Sequence, residues 1–199
     1  MKKEYFRMIA MLTVITMVCG FLLAAVKTIT QPKIEEQILI NVKGPALKKV
    51  LNLSSNNPIN DRIEVEIDDE IHTVFIGKKE NKLWAVAFES KGTGFGGSIG
   101  VMIGIDVAKS TLSGIGILTH QETPGLGSRI SETGFTDKFK GRTISDIFRV
   151  KKDNGIIDAI SGATNSSRGV CSAVEKGVAL FPKIKLTVLN KLDKKVKIK

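Results

Sequence analysis

The chain has 199 residues, enough for one ordinary core and an appendage rather than two full domains. Apolar residues make up 42% and charged residues 25%, so a normal globular core is available. The net charge of +10 raises nucleic acid as a partner, but the lysines are spread along the chain with no interleaved aromatics, which argues against nucleic acid and for a solvated basic surface near anionic lipid.

Residues 8–26, MIAMLTVITMVCGFLLAAV, carry no charge. At about 1.5 Å per residue such a helix spans roughly the hydrocarbon thickness of a bilayer. Lys2, Lys3 and Arg7 precede it, which predicts a cytoplasmic N-terminus and an exported remainder. The run is long for a cleaved signal peptide and no A-x-A site follows, so an uncleaved anchor is expected. Met17 and Val18 do not suit a lipoprotein site at Cys19. The organisation expected is a cytoplasmic tip and anchor over 1–29, a connecting helix and loop over 30–60, a domain over 61–182 and a basic tail over 183–199.

Apolar residues over 33–53 recur at helical spacing up to a break at Gly44-Pro45. SSNNPIN, 54–60, reads as a loop. Strands are predicted at 63–67, 73–77, 83–88, 99–107 and 112–119, all rich in β-branched residues, with a turn at 108–111. Short strands are also predicted at 144–150 and 156–160. A helix is predicted over 167–181, with Val170, Val174, Val178 and Phe181 on one stripe and Pro182 as its stop. The lysine-rich segment beyond it reads as a loosely ordered tail.

Metal-based redox centres find no support. Cys19 and Cys171 form no CxxC or CxxCH, and His72 and His120 show no ligand spacing. GTGFGG, 92–97, satisfies G-x-G-x-x-G after a strand. The dinucleotide fingerprint also needs a helix opening at the last glycine, and SIGVMIGIDV reads as a strand instead. A thin loop approaching a flat ligand or a neighbouring strand is the better reading.

DAISGATNSSRGV, 158–170, crowds Ser161, Thr164, Ser166 and Ser167 around Gly162 ahead of the predicted helix. Thr164, Asn165 and Ser166 are good N-cap types, and first-turn amides attract an anion. Phosphate binding and a merely well-capped helix both fit. HQETPGLG, 120–127, is stiffened by Pro124 and thinned by Gly125 and Gly127, as a wall for a planar ring would be; a plain turn fits equally.

Taken together, the anchor, GFGGSIGVMIGID, HQETPGLG and DAISGATNSS resemble the G subunit of the Rnf electron-transport complex, and the similar C subunit of sodium-translocating NADH:quinone reductase. The resemblance covers nearly the whole chain and implies an α+β fold, with one transmembrane helix followed by an FMN-binding domain built on an antiparallel sheet with flanking helices. It implies FMN joined through its phosphate to Thr164 by a separate flavin transferase, with Ser161, Gly162, Ala163, Ser166 and Ser167 around the phosphate. It further implies that Glu122, Thr123, Gly125, Leu126 and Gly127 lie by the ring. The protein would then pass electrons between other subunits of an inner-membrane complex that couples ferredoxin:NAD⁺ electron transfer to sodium or proton export, with the flavin on the extracytoplasmic side. A stand-alone flavin reductase would need an additional acid or base at the ring; a non-redox binding module would be colourless and indifferent to Thr164.

Overall fold

The structure is a computed structural model that describes residues 2–197. It divides into two units, one ending at Asn41 and one beginning at Val42. The first unit is the helix α1 (Lys2–Gln37), which runs into a π-helical turn at Ile38–Lys43. α1 is long and apolar enough to cross a membrane. Its apolar side chains, from Tyr5 to Ile34, are exposed along its length. The break expected at Gly44-Pro45 is not a loop: α2 (Gly44–Val50) follows at once. Pro45 has no N–H and its ring crowds the carbonyl four residues back, and the wider π turn upstream accommodates both defects.

The second unit is built on one antiparallel sheet in simple meander order: β1 (Arg62–Ile67), β2 (Glu70–Lys79), β3 (Lys82–Thr93), β4 (Ser98–Asp106) and β5 (Thr111–Thr119). All five correspond to strands expected from sequence. In β1 alternation decides the facing, with Val65 and Ile67 inward and the glutamates outward. In β4 it does not: every residue after Ser98 is buried, because both faces are covered. Ile99 and Ile103 face α4 (Thr164–Lys197), where they lie beside Gly169 and Gly177. The opposite face receives α2. A Cβ at Gly104 would sit 2.9 Å from Val50 Cβ, and one at Gly116 would sit 2.9 Å from Ala46 Cβ, so glycine lets α2 lie close on the sheet. Ser113 Oγ donates to the Val50 carbonyl at 2.6 Å, fixing the same contact.

Two expectations are corrected here. The segments at 144–150 and 156–160 are not strands; they meet only in an isolated bridge, Val150 to Ile157. Their apolar residues Phe148, Val150, Ile157 and Ile160 do enter the core, from a chain held by turns. The second correction concerns Pro182, which does not end the helix. α4 runs on to Lys197, and Ile184 and Val188 are fully buried in the core. Their burial, at roughly 1.5–3 kcal/mol per side chain, offsets much of the cost of an interior proline. Lys183 pairs with Asp68 at 2.6 Å, and Lys185 donates to the Val107 carbonyl at 2.9 Å, so this end of the helix is tied to the sheet at its polar edge as well.

Candidate flavin site

β5 ends at Thr119, and the chain then turns back across the start of α4. This brings three separated motifs to one place. A cavity of about 500 Å³, within the usual range of ligand pockets, is lined by Glu122, Thr123, Leu126 and Gly127 from the first motif. Gly162, Ala163, Thr164, Asn165 and Ser166 line it from the start of α4, Phe95 from the glycine loop between β3 and β4, and Lys152 from a short 3₁₀ turn.

The hydroxyls crowded into this corner have different jobs. Ile160 to Ala163 is a tight turn closed by Ala163 N–H to the Ile160 carbonyl at 2.9 Å. Its third residue, Gly162, has φ +77°, which a side chain would resist. Ser161 occupies the exposed corner of that turn and does not line the cavity. Ser167 is fully buried; its Oγ donates to the Ala163 carbonyl and accepts the Ile160 N–H, both at 3.0 Å. Ser166 Oγ donates to Glu122 Oε2 at 2.5 Å. Of the hydroxyls in this corner Thr164 is thus the one left on the cavity lining with no hydrogen bond among the described residues, and Thr123 adds a second hydroxyl to the lining from the opposite loop.

The helix start is also different from the one expected. Ser167 N–H makes the first intrahelical bond, to the Ala163 carbonyl, so the N-cap is Ala163 and not one of the polar residues after it. Alanine cannot cap. The amides of Thr164, Asn165 and Ser166 therefore keep their hydrogen-bonding capacity and the partial positive charge of the helix end for an outside acceptor. Thr164 is the first residue of α4, where its hydroxyl and these amides can reach the same anion.

Glu122 holds the site together. It is 5% exposed, and besides Ser166 it accepts the Gly96 N–H at 3.0 Å through Oε1, joining all three motifs. Gly127 has no room for more than hydrogen, since a Cβ there would sit 2.8 Å from Glu122 Cβ and 2.9 Å from Ser166 Oγ. Gly125 has φ +73° and turns the loop outside the cavity.

Lys152 reaches the cavity because its turn is clamped to α4. Arg168 bonds Asp153 through both ends of its guanidinium, at 2.7 and 2.8 Å, and also reaches Asn165 Oδ1 at 3.2 Å. The Arg168 hydrogen bond holds the Asp153 carboxyl below the usual carboxylate range. Lys151 likewise pairs with Asp158 at 2.8 Å and lowers that carboxyl. The sequence places Lys152 and Thr164 near each other in the chain, and the Arg168–Asp153 clamp, with the Lys151–Asp158 pair and the Val150–Ile157 bridge, holds the turn that puts them on one cavity.

Residues 94–179 match the FMN-binding domain family. The G subunit of the ion-translocating oxidoreductase complex of Shewanella piezotolerans is 31% identical over 203 residues, covering 96% of this chain and 95% of the relative. The chain belongs to the family of these G subunits. The corresponding G subunit of Cereibacter sphaeroides is 33% identical over 147 residues, 70% of this chain and 67% of its own length. The crystal structure of the C subunit of the Na⁺-translocating NADH-quinone reductase of Parabacteroides distasonis shares the fold, with a TM-score of 0.60 over 76% of this chain and 95% of that one at 22% identity.

The cavity fits FMN by the chemistry of its lining. Thr164, the first-turn amides and the Lys152 ammonium could hold an anion at one end, and Phe95 and Leu126 are the apolar residues that could meet a ring.

Proposed function

We propose that this protein is the flavin-carrying electron-transfer subunit of a membrane ion-translocating oxidoreductase complex. Family membership and the FMN-binding domain support that reading. The finer proposal is that FMN is tethered as a phosphoester to Thr164 by a flavin transferase. The N-terminus would then be cytoplasmic and the flavin domain exported, within an Rnf-type complex coupling ferredoxin:NAD⁺ electron transfer to sodium or proton export.

The observation that carries the attachment site is the division of labour among the hydroxyls. Ser166 and Ser167 are spent on Glu122 and on the turn, Ser161 is outside the cavity, and Thr164 alone is placed at an uncapped helix start. Loading would join Thr164 Oγ1 to the FMN phosphorus of FAD. The pyrophosphate P–O bond breaks, AMP leaves, and the threonine proton passes to the transferase. The resulting phosphodiester keeps one negative charge, which Lys152 and the Asn165 and Ser166 amides would neutralise.

Bound FMN supplies the electron-transfer chemistry. This chain's residues supply position: Glu122 holds the loops, the Arg168–Asp153 clamp holds Lys152, and the tether keeps the group at one depth in the cavity. The test is an intact mass of the full chain, co-expressed with a flavin transferase, beside Thr164→Val. The expected result is a gain of FMN less one water in the native chain and none in the variant. An unmodified native chain, with a transferase active on a control substrate, would remove the covalent reading.

A further inference from the structure

The sheet splits between β2 and β3. Their ladder ends at the pair Val74 and Phe88. Yet β2 stays paired to β1 back to Glu70, and β3 stays paired to β4 up to Thr93. Between the diverging strands lies a cleft of about 610 Å³, with Ile71 and Thr73 on one lip and Glu89 and Lys91 on the other.

Each lip is fastened to a different stretch of α4. Ser90 Oγ donates to the Ala173 carbonyl at 2.8 Å, and a Cβ at Gly92 would overlap the Gly169 carbonyl, so the end of β3 sits on the first turns of the helix. The β1–β2 hairpin is held further on, by Lys183 at Asp68 and by Lys191 at the Glu64 carbonyl. At helical rise Lys183 is roughly 15 Å beyond Ala173. The two strands part because they follow different parts of one helix.

The phase of the backbone shows that open ladder positions line the gap. Successive residues of an antiparallel strand bond to opposite sides. Gly94 N–H donates to the Gly97 carbonyl, so the even-numbered residues of β3 turn toward β4, while Glu89, Lys91 and Thr93 turn toward the gap. Ile76 N–H donates to the Asp61 carbonyl, so in β2 Ile71 and Thr73 turn toward the gap as well. Phe75 and Ala87, still joined, keep the same phase. Beyond them no backbone bond crosses the gap among the described residues. The Lys91 carbonyl receives the Lys176 ammonium at 3.5 Å. An open edge of this kind is a template for one more strand.

We propose that the split is a docking groove for a short, extended, acidic segment of another subunit, which adds a strand against residues 89–93. The inference rests on the reading of this chain as one subunit of a membrane complex, and it gives that reading a point of contact. A strand presents donors and acceptors in alternation along its length, as the lips do; a lipid or a compact ligand does not. Charge sets the acidic character. Lys43 is paired with Glu89 at 3.0 Å, and Glu70 lies 3.8 Å from His72. Lys91 and Lys176, which flank the open edge, make no ion pair among the described residues. Carboxylates on the incoming strand would find both ammonium groups free.

The test compares amide hydrogen exchange of the full-length chain alone in detergent with that of the same chain in the assembled membrane complex. The amides of residues 71–73 and 89–93 should exchange readily in the isolated chain and slow by about tenfold or more in the complex. Lys91→Pro removes an outward N–H without touching a bond inside the sheet, and should abolish that protection. Lys91→Ala, which keeps the N–H, should retain it; equal loss in both variants would assign the contact to charge and overturn the strand pairing. A photo-cross-linking residue in place of Ile71, which is 71% exposed beside the gap, should capture an acidic stretch of a different subunit. A cross-link to lipid or to a second copy of this chain overturns the proposal. Equal exchange alone and in the complex does the same, as does slow exchange in the isolated chain, where the lips would already be closed. A chain found in no complex by native size removes the subunit reading and the groove together. An assembled chain whose groove stays unprotected removes the groove alone.

Discussion

α4 begins with its amides facing a cavity and ends with its side chains sunk in the sheet. At Thr164 the helix is uncapped, is surrounded by loops without room for a Cβ, and leaves polar groups for a ligand. Beyond Pro182, Ile184 and Val188 are fully buried and lysines reach back to Asp68 and to the Val107 carbonyl. One end of the helix leaves its amide donors without partners inside the described chain, and the other is tied down by packing and polar contacts. Function and stability should therefore separate along a single element when each end is mutated.

The largest effect is expected at Thr164. Thr164→Val should abolish the FMN mass gain while leaving the thermal midpoint of the apo chain unchanged; a large fall in that midpoint would show that the hydroxyl serves the fold. Ile184→Ala should do the reverse. It should cost about 2–5 kcal/mol, as cavities in cores do, and the stable fraction should still load at low temperature. Denaturant unfolding followed by circular dichroism measures this, and a cost near zero would return the segment beyond Pro182 to the status of a loose tail. Glu122→Ala should fall between them and touch both properties, because it orphans the Gly96 N–H and the Ser166 hydroxyl at about 1–3 kcal/mol each. Glu122→Gln, which keeps an acceptor for Gly96, should recover most of the stability.

The smallest effect is expected at Arg168. Arg168→Met should leave the fold in place, release the Lys152 turn, and slow loading without preventing it, as read from the time course of intact mass. The clamp also has a pH signature. Asp153 is lowered in the folded state, so its contribution is complete above the unfolded carboxylate value and is lost as pH falls through the folded one, below about pH 4. Between about pH 5 and 8 the clamp should not respond, and a loading rate that tracked Asp153 in that range would contradict the assignment.

The sheet was legible because β-branched runs separated by turn residues report strands whatever their partners. Its double-sided burial was not legible, because the glycines of β4 and β5 look like punctuation until α2 is seen lying on them. The false strands at 144–150 and 156–160 failed for a related reason. Apolar residues there fill the core from irregular chain, and local pattern cannot tell a core-filling loop from a ladder. Pro182 misled because the local rule is true but is outweighed by burial of Ile184 and Val188. At the site, the motifs named their own residues, but hydrogen-bond geometry sorted them: Ser167 and Ser166 turned inward, and Thr164 did not. The sequence put Lys152 near the site without evidence of contact, and it marked the GTGFGG loop as a thin wall without singling out Phe95. A salt bridge between residues 15 apart in the chain places the first, and backbone pressed on backbone at Gly92 and Gly96 places the second.

One buried side chain bears on how such a domain survives its own chemistry. Cys171 is the single cysteine of the folded domain; it sits in the core beneath the first turns of α4, and burial, with help from the negative charges of Glu175 and Asp153, pushes its thiol up to about 12. At neutral pH it stays protonated and shielded from solvent. Reduced flavins hand electrons to dioxygen, and the peroxide that results attacks thiolates. A folded domain that carries its one thiol in this form presents such oxidants with a protonated, buried sulfur instead of an exposed thiolate.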